Sequence, residues 1–363
     1  MSRRMSRRPS TAVGMVLLPG LLLSCLVYYL AFAADINSYD GETGLFQLAL
    51  NLHDHFVYVG SIERIQVGDV IYALSNDIGI AAIYVFLSGL FPFLVDPDFT
   101  LLALVFNCGV LCSCYVVYTR ICRQLGLGLA GRISFFANTS FVYFAQLINK
   151  DLLTIFAFLL AVHLGMRRRL GLLILLVPAL ALVRLQLAVF ALVFVCLMHS
   201  PRPWRRILLL YGATSLIAGI LSVVASVIGE DSLGDGFSAF LVDFNQHYYV
   251  GYLLFNPVRL LQYVLDAYAS FFFWTDTGGI DTAKLLRLPQ LVLLLLLLKP
   301  MSALVTQFGY WLSTPARPLV LVVVAFLLAW LMNPTVNARY VMLITPVLVL
   351  FALYVRKQQR QSR

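Results

Sequence analysis

The chain has 363 residues, of which 61% are hydrophobic and 12% are charged, and its mean hydropathy is +0.88. Soluble domains carry about 25% charged residues, so this composition excludes an ordinary water-soluble protein and predicts an all-α, polytopic membrane protein. The distribution of the net charge of +9 is more informative than its size, because lysine and arginine remain on the cytoplasmic side of a membrane.

The first apolar run, 11–33, follows the basic sequence MSRRMSRR. A secretory signal peptide has a shorter apolar core and precedes a soluble body, whereas further apolar runs follow here. We therefore expect 11–33 to be retained as the first span. The next apolar run, 78–94, is short and is flanked by Asp77, Asp96 and Asp98, so we expect a helix at the outer interface instead of a span.

The basic residues occur in six groups, and placing every group in the cytoplasm gives the topology. The groups are Arg3, Arg4, Arg7 and Arg8; Arg120, Arg123 and Arg132; Arg167, Arg168 and Arg169; Arg202, Arg205 and Arg206; Arg317; and Arg356, Lys357, Arg360 and Arg363. The later spans are then predicted at 100–118, 133–148, 151–166, 170–184, 186–200, 207–228, a run that starts at 288, 317–333 and 338–355. This gives about ten transmembrane helices in a single domain, 1–363, with both termini in the cytoplasm.

All seventeen acidic residues then lie on the external side, and most of them fall in two long external segments, 34–99 and 229–287. We expect an interfacial helix in each segment, because 78–94 is short and 257–274 is amphipathic. Any chemistry is therefore expected on the external face, at the membrane surface.

Two polar stretches lie on this external side, next to predicted span ends. Asp40-Gly41-Glu42 brings two carboxylates together, and such a pair can hold a divalent cation or act as a general base. A solvated loop that caps the following helix is the structural alternative. In Asn149-Lys150-Asp151, a predicted tight hairpin, Lys150 and Asp151 could hold a phosphate, although an aspartate also suits the start of a helix.

Two arginines also lie at external span ends, against the usual charge distribution. Arg184 and Gln186 fall between two apolar runs, and Arg339-Tyr340 starts the last span. Either the arginines snorkel to lipid phosphates or they form an anion site. With Lys150 at a similar depth they could bind a lipid pyrophosphate, because arginine contacts phosphate through paired hydrogen bonds.

Other chemical motifs are weaker in this sequence. His53 and His55 could bind a metal, but the amphipathic interfacial helix is the interpretation that we favour for this stretch. The six cysteines lie in or beside apolar runs without metal-ligand spacing. Because no P-loop, GxGxxG, zinc motif or nucleophile elbow occurs, we assign no nucleotide cofactor, no metal ligands and no nucleic-acid partner.

The order of these features resembles the GT-C superfamily of polytopic glycosyltransferases. The chain shares with it an N-terminal span, an acidic motif in the first external loop, an external juxtamembrane helix, and a second external loop that carries an aspartate. The corresponding residues here are 11–33, Asp40 to Glu42, a helix ending at Gly89-Leu90-Phe91-Pro92, and Asn149 to Asp151, whose span ends at Arg167 to Arg169.

Within that superfamily the chain is most similar to polysaccharide polymerases of the Wzy type. The similarity lies in the Asn149-Lys150-Asp151 hairpin, in Arg184-Leu185-Gln186, where Leu185 stands at the position of an expected proline, and in Arg339-Tyr340. It covers roughly 10–200 and 317–355.

The resemblance implies a GT-C-like fold and a glycosyltransferase that joins undecaprenyl-pyrophosphate-linked glycan units on the periplasmic face of a bacterial inner membrane, as O-antigen or exopolysaccharide polymerases do. The implied partners are lipid-linked glycans, membrane lipid, and chain-length regulator and flippase proteins. Catalysis is assigned to Asp40 or Glu42, and pyrophosphate binding to Lys150, Asp151, Arg184, Gln186, Arg339 and Tyr340.

Three other functions stay open from the sequence. The first is a single-sugar transferase that uses a polyprenyl-phosphate sugar donor, and the second is a lipid-linked oligosaccharide flippase or transporter. The third is a structural or assembly partner of a polysaccharide-synthesising complex. The use of a divalent cation is also left open, because Asp40-Gly41-Glu42 differs from the Asp-Asp or Asp-Glu of many single-sugar transferases.

Overall fold

The computed structural model describes residues 9–33, 52–68, 78–228, 237–269, 288–333 and 338–361. Within these ranges the regular secondary structure is helical and contains no β-strand, which confirms the predicted all-α class. The α-helices in chain order are α1 (Pro9–Ala33), α2 (Leu52–Gln66), α3 (Ile78–Leu90), α4 (Thr100–Gln124), α5 (Leu129–Ile133), α6 (Ser140–Phe144), α7 (Asp151–Met166), α8 (Leu170–Leu175), α9 (Val177–Val183), α10 (Leu185–Met198), α11 (Pro203–Ile228), α12 (Phe237–Tyr248), α13 (Gly251–Ala269), α14 (Leu288–Thr306), α15 (Phe308–Leu312), α16 (Arg317–Trp330) and α17 (Ala338–Gln361).

Membrane character is supported by the length and composition of the helices. Among the described residues, three stretches are long and apolar enough to cross a bilayer: Thr100–Gln124, Pro203–Leu221 and Arg339–Gln361. Shorter apolar stretches occur at Val16–Leu30, Ile78–Leu90, Asp151–Met166, Leu185–Met198, Leu295–Thr306 and Arg317–Trp330. A spanning helix needs about 20 residues, so the total of about ten spans, the topology and the interfacial placement of α3 and α13 stay predictions.

Two predicted spans are not continuous helices. The prediction at 133–148 was wrong, because this region consists of the end of α5, a 3-10 helix at Ser134–Ala137, α6 and an irregular segment. The extended backbone of Asn138 (φ −89°, ψ 90°) interrupts it, because a residue in this conformation cannot continue a helix. The run 170–184 is divided into α8 and α9 just before Pro178, which lacks an N–H for helix bonding.

Aromatic side chains fill the centre of the bundle, where α7 lies against α4, α10, α16 and α17. The Phe158 ring lies 4.7 Å from the Phe190 ring and 5.3 Å from the Trp330 ring, measured between centroids. Phe326 lies 5.0 Å from the Trp330 ring. Such edge-to-face and tilted pairs are favourable geometries for aromatic rings, and they fix Trp330 at the end of α16.

Several basic side chains tie helices together at one end of this bundle. Arg317 donates hydrogen bonds to the carbonyls of Met198 at 3.1 Å and Ser200 at 2.7 Å. Lys357 donates to the carbonyl of Leu125 at 2.9 Å. Because α7, α10 and α17 all start at the other end, the polar residues of their first turns lie far from these basic residues.

Helix α3 approaches α9 so closely that its first turn requires a glycine. A Cβ added at Gly79 would overlap the backbone carbonyl of Leu182, whereas a Cβ at Gly89, in the same helix, would have no atom within 4 Å. The contact therefore fixes α3 against α9, just before the break that precedes α10.

We expect Gly79→Ala to lower the midpoint of thermal unfolding in detergent, because α3 must move away from α9 and overpacking typically costs about 1–3 kcal/mol. Gly89→Ala is the matched control, and helix propensity predicts an unchanged or slightly higher midpoint for it. Equal midpoints for the two variants would show that α3 and α9 do not make this contact.

Candidate functional site

A buried carboxylate, Asp151, lies at the centre of the candidate site, with its side chain 1% exposed. Its Oδ2 accepts a hydrogen bond from Nε of Arg339 at 2.6 Å, and its Oδ1 lies 3.9 Å from Nη2 of Arg184. Nη1 of Arg339 also donates to Oδ2 of Asp54 at 3.2 Å. Since a buried carboxylate is costly unless it is paired, Asp151 holds both arginines in place.

Four helix starts bring these charges together. Asp54 lies in the first turn of α2, Asp151 is the first residue of α7, Arg184 immediately precedes α10, and Arg339 lies in the first turn of α17. The N-terminus of a helix stabilises a carboxylate, which favours the two aspartates at these positions. The structure therefore places at one end the span-end residues that the sequence predicted at a similar depth.

The irregular segment before α7 is held by side-chain amides. Asn149 donates hydrogen bonds to the carbonyls of Phe144 at 2.8 Å and Leu147 at 2.7 Å, and its Oδ1 accepts the Asp151 N–H at 3.0 Å. From α4, Asn107 donates to the same Leu147 carbonyl at 2.8 Å. Because buried backbone groups need partners, these amides fix the backbone that carries Asp151.

Lys150 adds a third cation to the site. It is 3% exposed, and its Nζ lies 5.2 Å from the centroid of the Tyr58 ring, an arrangement that cation–π attraction stabilises. Tyr58 lies one turn after Asp54 on α2, so Lys150 contacts the helix that carries the second carboxylate. Among the described residues of this cluster, three cations thus face two carboxylates.

The guanidinium of Arg184 lies beside two aromatic rings. Its Cζ is 5.9 Å from the centroid of the Trp330 ring and 5.7 Å from that of the Tyr340 ring, and the side chain is 12% exposed. Its Nη1 is buried and has no hydrogen-bond partner among the residues that the structure describes. A guanidinium with an unbonded donor in a nearly buried setting is suited to binding an anion.

Tyr340 also lies beside this guanidinium, and Gln186 follows Arg184 closely in the sequence. The Tyr340 hydroxyl accepts a hydrogen bond from Nδ2 of Asn333 at 3.1 Å, and its ring is edge-on to Trp330 with centroids 6.3 Å apart. Gln186 is half-buried in the first turn of α10, two residues after Arg184. The structure therefore brings Lys150, Asp151, Arg184, Arg339 and Tyr340 close together, and their role in phosphate binding stays a prediction.

The predicted catalytic residues Asp40 and Glu42 lie outside the described residues, and their role stays a prediction. In the part of the chain that the structure describes, no three His, Cys, Asp or Glu side chains come together as a metal site would require. The use of a divalent cation therefore stays open.

Asp54 is a site residue that sequence reasoning did not assign. It belongs to the stretch His53-Asp54-His55, which the sequence analysis interprets as part of an amphipathic interfacial helix, with metal binding by the histidines as the alternative. Its carboxylate is 37% exposed, compared with 1% for Asp151, and both aspartates bind Arg339. An acidic residue in the first turn of a predicted interfacial helix was the signal that could have identified it.

A second missed residue, Arg259 of α13, is completely buried. It donates hydrogen bonds to Oδ1 of Asn256 and to the carbonyl of Leu331, both at 2.7 Å, and to the carbonyl of Asn333. Since Asn333 also bonds to Tyr340, Arg259 connects the second predicted external segment to the site. Arginine in an amphipathic stretch suggested an interfacial position, and nothing in the sequence indicates its carbonyl partners.

Comparisons of the chain with protein-family models, with curated proteins and with solved structures found no match. A functional proposal therefore depends on the arrangement of charges around Asp151 itself.

His55 connects α2 to the segment before α7 in a pH-dependent way. It is fully buried, and its Nδ1 accepts the Ile148 N–H at 3.2 Å. Burial lowers the pKa of His55 from 6.5 to about 4, because removal from water disfavours the charged imidazolium. The hydrogen bond also requires an unprotonated Nδ1, so the neutral form belongs to the folded protein.

We expect His55 to contribute stability that is present above pH 6.5 and is lost as the pH falls towards 4, because the unfolded chain binds the proton first. The measurement is the thermal unfolding midpoint in detergent across this range. His55→Asn is the control, since its side-chain oxygen can accept the Ile148 N–H without titrating. Parallel pH curves for the two proteins would contradict this role of His55.

Proposed function

We propose that this protein is a membrane glycosyltransferase that joins undecaprenyl-pyrophosphate-linked glycan units on the periplasmic face of a bacterial inner membrane, as polysaccharide polymerases do. The observation that carries the proposal is the nearly buried Arg184 guanidinium. It has a buried donor without a hydrogen-bond partner in the described residues, and it lies beside Asp151 and two further cations. Arginine meets phosphate oxygens through paired hydrogen bonds.

In this proposal the pyrophosphate of the donor lies against Arg184 and Lys150. Arg339 is already bonded to Asp54 and Asp151, so it holds the carboxylates in position and contributes its charge at longer range. Donors fixed before the reaction stabilise a developing anion strongly in a site with little water. The buried Nη1 of Arg184 supports the departure of a pyrophosphate as an anion.

The proposed transfer needs a base, an acceptor hydroxyl and a leaving group. A carboxylate takes the proton of the acceptor hydroxyl, whose oxygen then bonds to the anomeric carbon of the donor glycan. The bond between that carbon and the pyrophosphate oxygen breaks, and undecaprenyl pyrophosphate leaves as an anion. Asp40 or Glu42 is the proposed base, and the partly exposed carboxylate of Asp54 is an alternative base among the described residues.

The position of the charges favours a transferase over a transporter. A flippase or transporter is expected to carry charges near the middle of its helices and to show inverted repeats. Here Asp54, Asp151, Arg184 and Arg339 lie at helix starts. A single-sugar transferase would use the same phosphate-binding residues as a polymerase, and the reaction product distinguishes these two enzymes.

We expect Arg184→Ala to abolish the long-chain ladder of surface glycan while a single repeat unit is retained. Losing one donor to a developing anion lowers the rate by about 100-fold or more. The measurement is glycan length by gel in a deletion strain that carries each variant, with membrane levels checked. Arg64→Ala is the matched control, because Arg64 is an exposed cation in the last turn of α2, and its ladder should match that of wild type.

A full ladder in a well-expressed Arg184→Ala strain would contradict the assignment of the site. Unchanged chain length with one sugar or branch missing would instead support a single-sugar transferase with a polyprenyl-phosphate donor.

A further inference from the structure

A basic hollow lies at the end of the bundle opposite Asp151. Its volume is about 570 Å³, and its walls come from the last turn of α4 and from the end of α7. The charged and titratable residues that line it are Arg120, Arg123, His163, Arg167 and Arg169. No carboxylate is among the described residues that line it.

The turn after α7 directs its arginines to two sides. Arg168 has a positive φ of 56°, and the Arg169 N–H bonds back to the Leu164 carbonyl at 3.0 Å. A left-handed residue is a common end for a helix, although glycine is the residue that normally adopts it. As a result Arg167 and Arg169 line the hollow, whereas Arg168 lines a neighbouring one.

His163 is the buried polar group of this hollow. It is 9% exposed, and its Nδ1 has no hydrogen-bond partner in the ranges that the structure describes. A buried polar nitrogen without a partner is unfavourable, and an oxygen of a bound ligand would satisfy it. Topology alone explains arginines at a cytoplasmic helix end, but it does not explain a buried, unbonded imidazole between them.

The charges of the hollow also favour an anionic ligand. Four guanidinium groups surround one space and repel each other, and a bound anion would relieve that repulsion. The basic group at Arg202 and Arg205 is exposed like the arginines of the hollow, but its side chains do not line the hollow.

We infer that this hollow binds a phosphate group, either in the headgroup of an anionic lipid or in a soluble phosphate compound. Arginine provides the paired hydrogen bonds that phosphate oxygens accept, and His163 provides a further polar contact. Basic pockets between membrane helices on the cytoplasmic side bind anionic headgroups, and the charge distribution predicts this end to be cytoplasmic. The site is separate from Asp151 and does not depend on the proposed transfer reaction.

The test uses the full-length protein in a neutral detergent. Native mass spectrometry measures the affinity for phosphatidylglycerol, and calorimetry measures the affinity for inorganic pyrophosphate. We expect Arg120→Gln/Arg123→Gln to bind one of these probes about tenfold more weakly, as the loss of charge-assisted hydrogen bonds predicts. The matched control, Arg202→Gln/Arg205→Gln, removes the same charge outside the hollow and should bind as wild type does.

A loss of phosphatidylglycerol binding identifies a lipid headgroup as the ligand, and a loss of pyrophosphate binding alone identifies a soluble phosphate compound. The inference would be overturned if wild type and Arg120→Gln/Arg123→Gln bound each probe with the same affinity. It would also be overturned if Arg202→Gln/Arg205→Gln lost as much affinity as the hollow variant. His163→Leu provides a second test without a change in the arginines, and it should weaken the same probe. Size-exclusion chromatography and thermal unfolding verify that each variant is folded.

Discussion

The ion pair between Asp151 and Arg339 is the interaction on which the rest of the candidate site depends. It joins the start of α7 to the start of α17, and the further contacts of the same two residues add α2 through Asp54 and α10 through Arg184. Removing one partner of a buried pair typically costs about 3–5 kcal/mol, because the other charge is left without compensation. The relative position of four helix starts is therefore coupled to one buried carboxylate.

Neutral side chains also hold the backbone and the rings around this pair in position. Asn107 and Asn149 hold the backbone before Asp151, and the aromatic ring of Trp330 is fixed by Phe158 beneath it. These contacts leave Arg184 positioned by rings instead of by strong hydrogen bonds, so its donors can bind an anion. The basic hollow at the other end of the bundle is lined by arginines, with no carboxylate among the described residues that line it, so the two proposed sites differ in both position and charge.

The class of the protein and the location of its polar span ends could be predicted because hydropathy and charge are local properties of the sequence. Arg184, Arg339 and Asp151 each adjoin an apolar run, which is sufficient to expect them at one end. Their pairing could not be predicted, since Asp54 and Arg339 are 285 residues apart and only helix packing brings them together. The burial of Arg259 was also not predictable, because its partners are backbone carbonyls.

The measurement that tests the importance of the Asp151–Arg339 pair most directly is a double-mutant cycle of unfolding midpoints in detergent for wild type, Asp151→Asn, Arg339→Gln and the double variant. If the pair is central, each single variant leaves the other charge without its nearest partner, and the double variant is destabilised by less than the sum, with a coupling of about 0.5–3 kcal/mol. Additive effects would show that Asp151 and Arg339 stabilise the protein independently, and the account of the site would be contradicted.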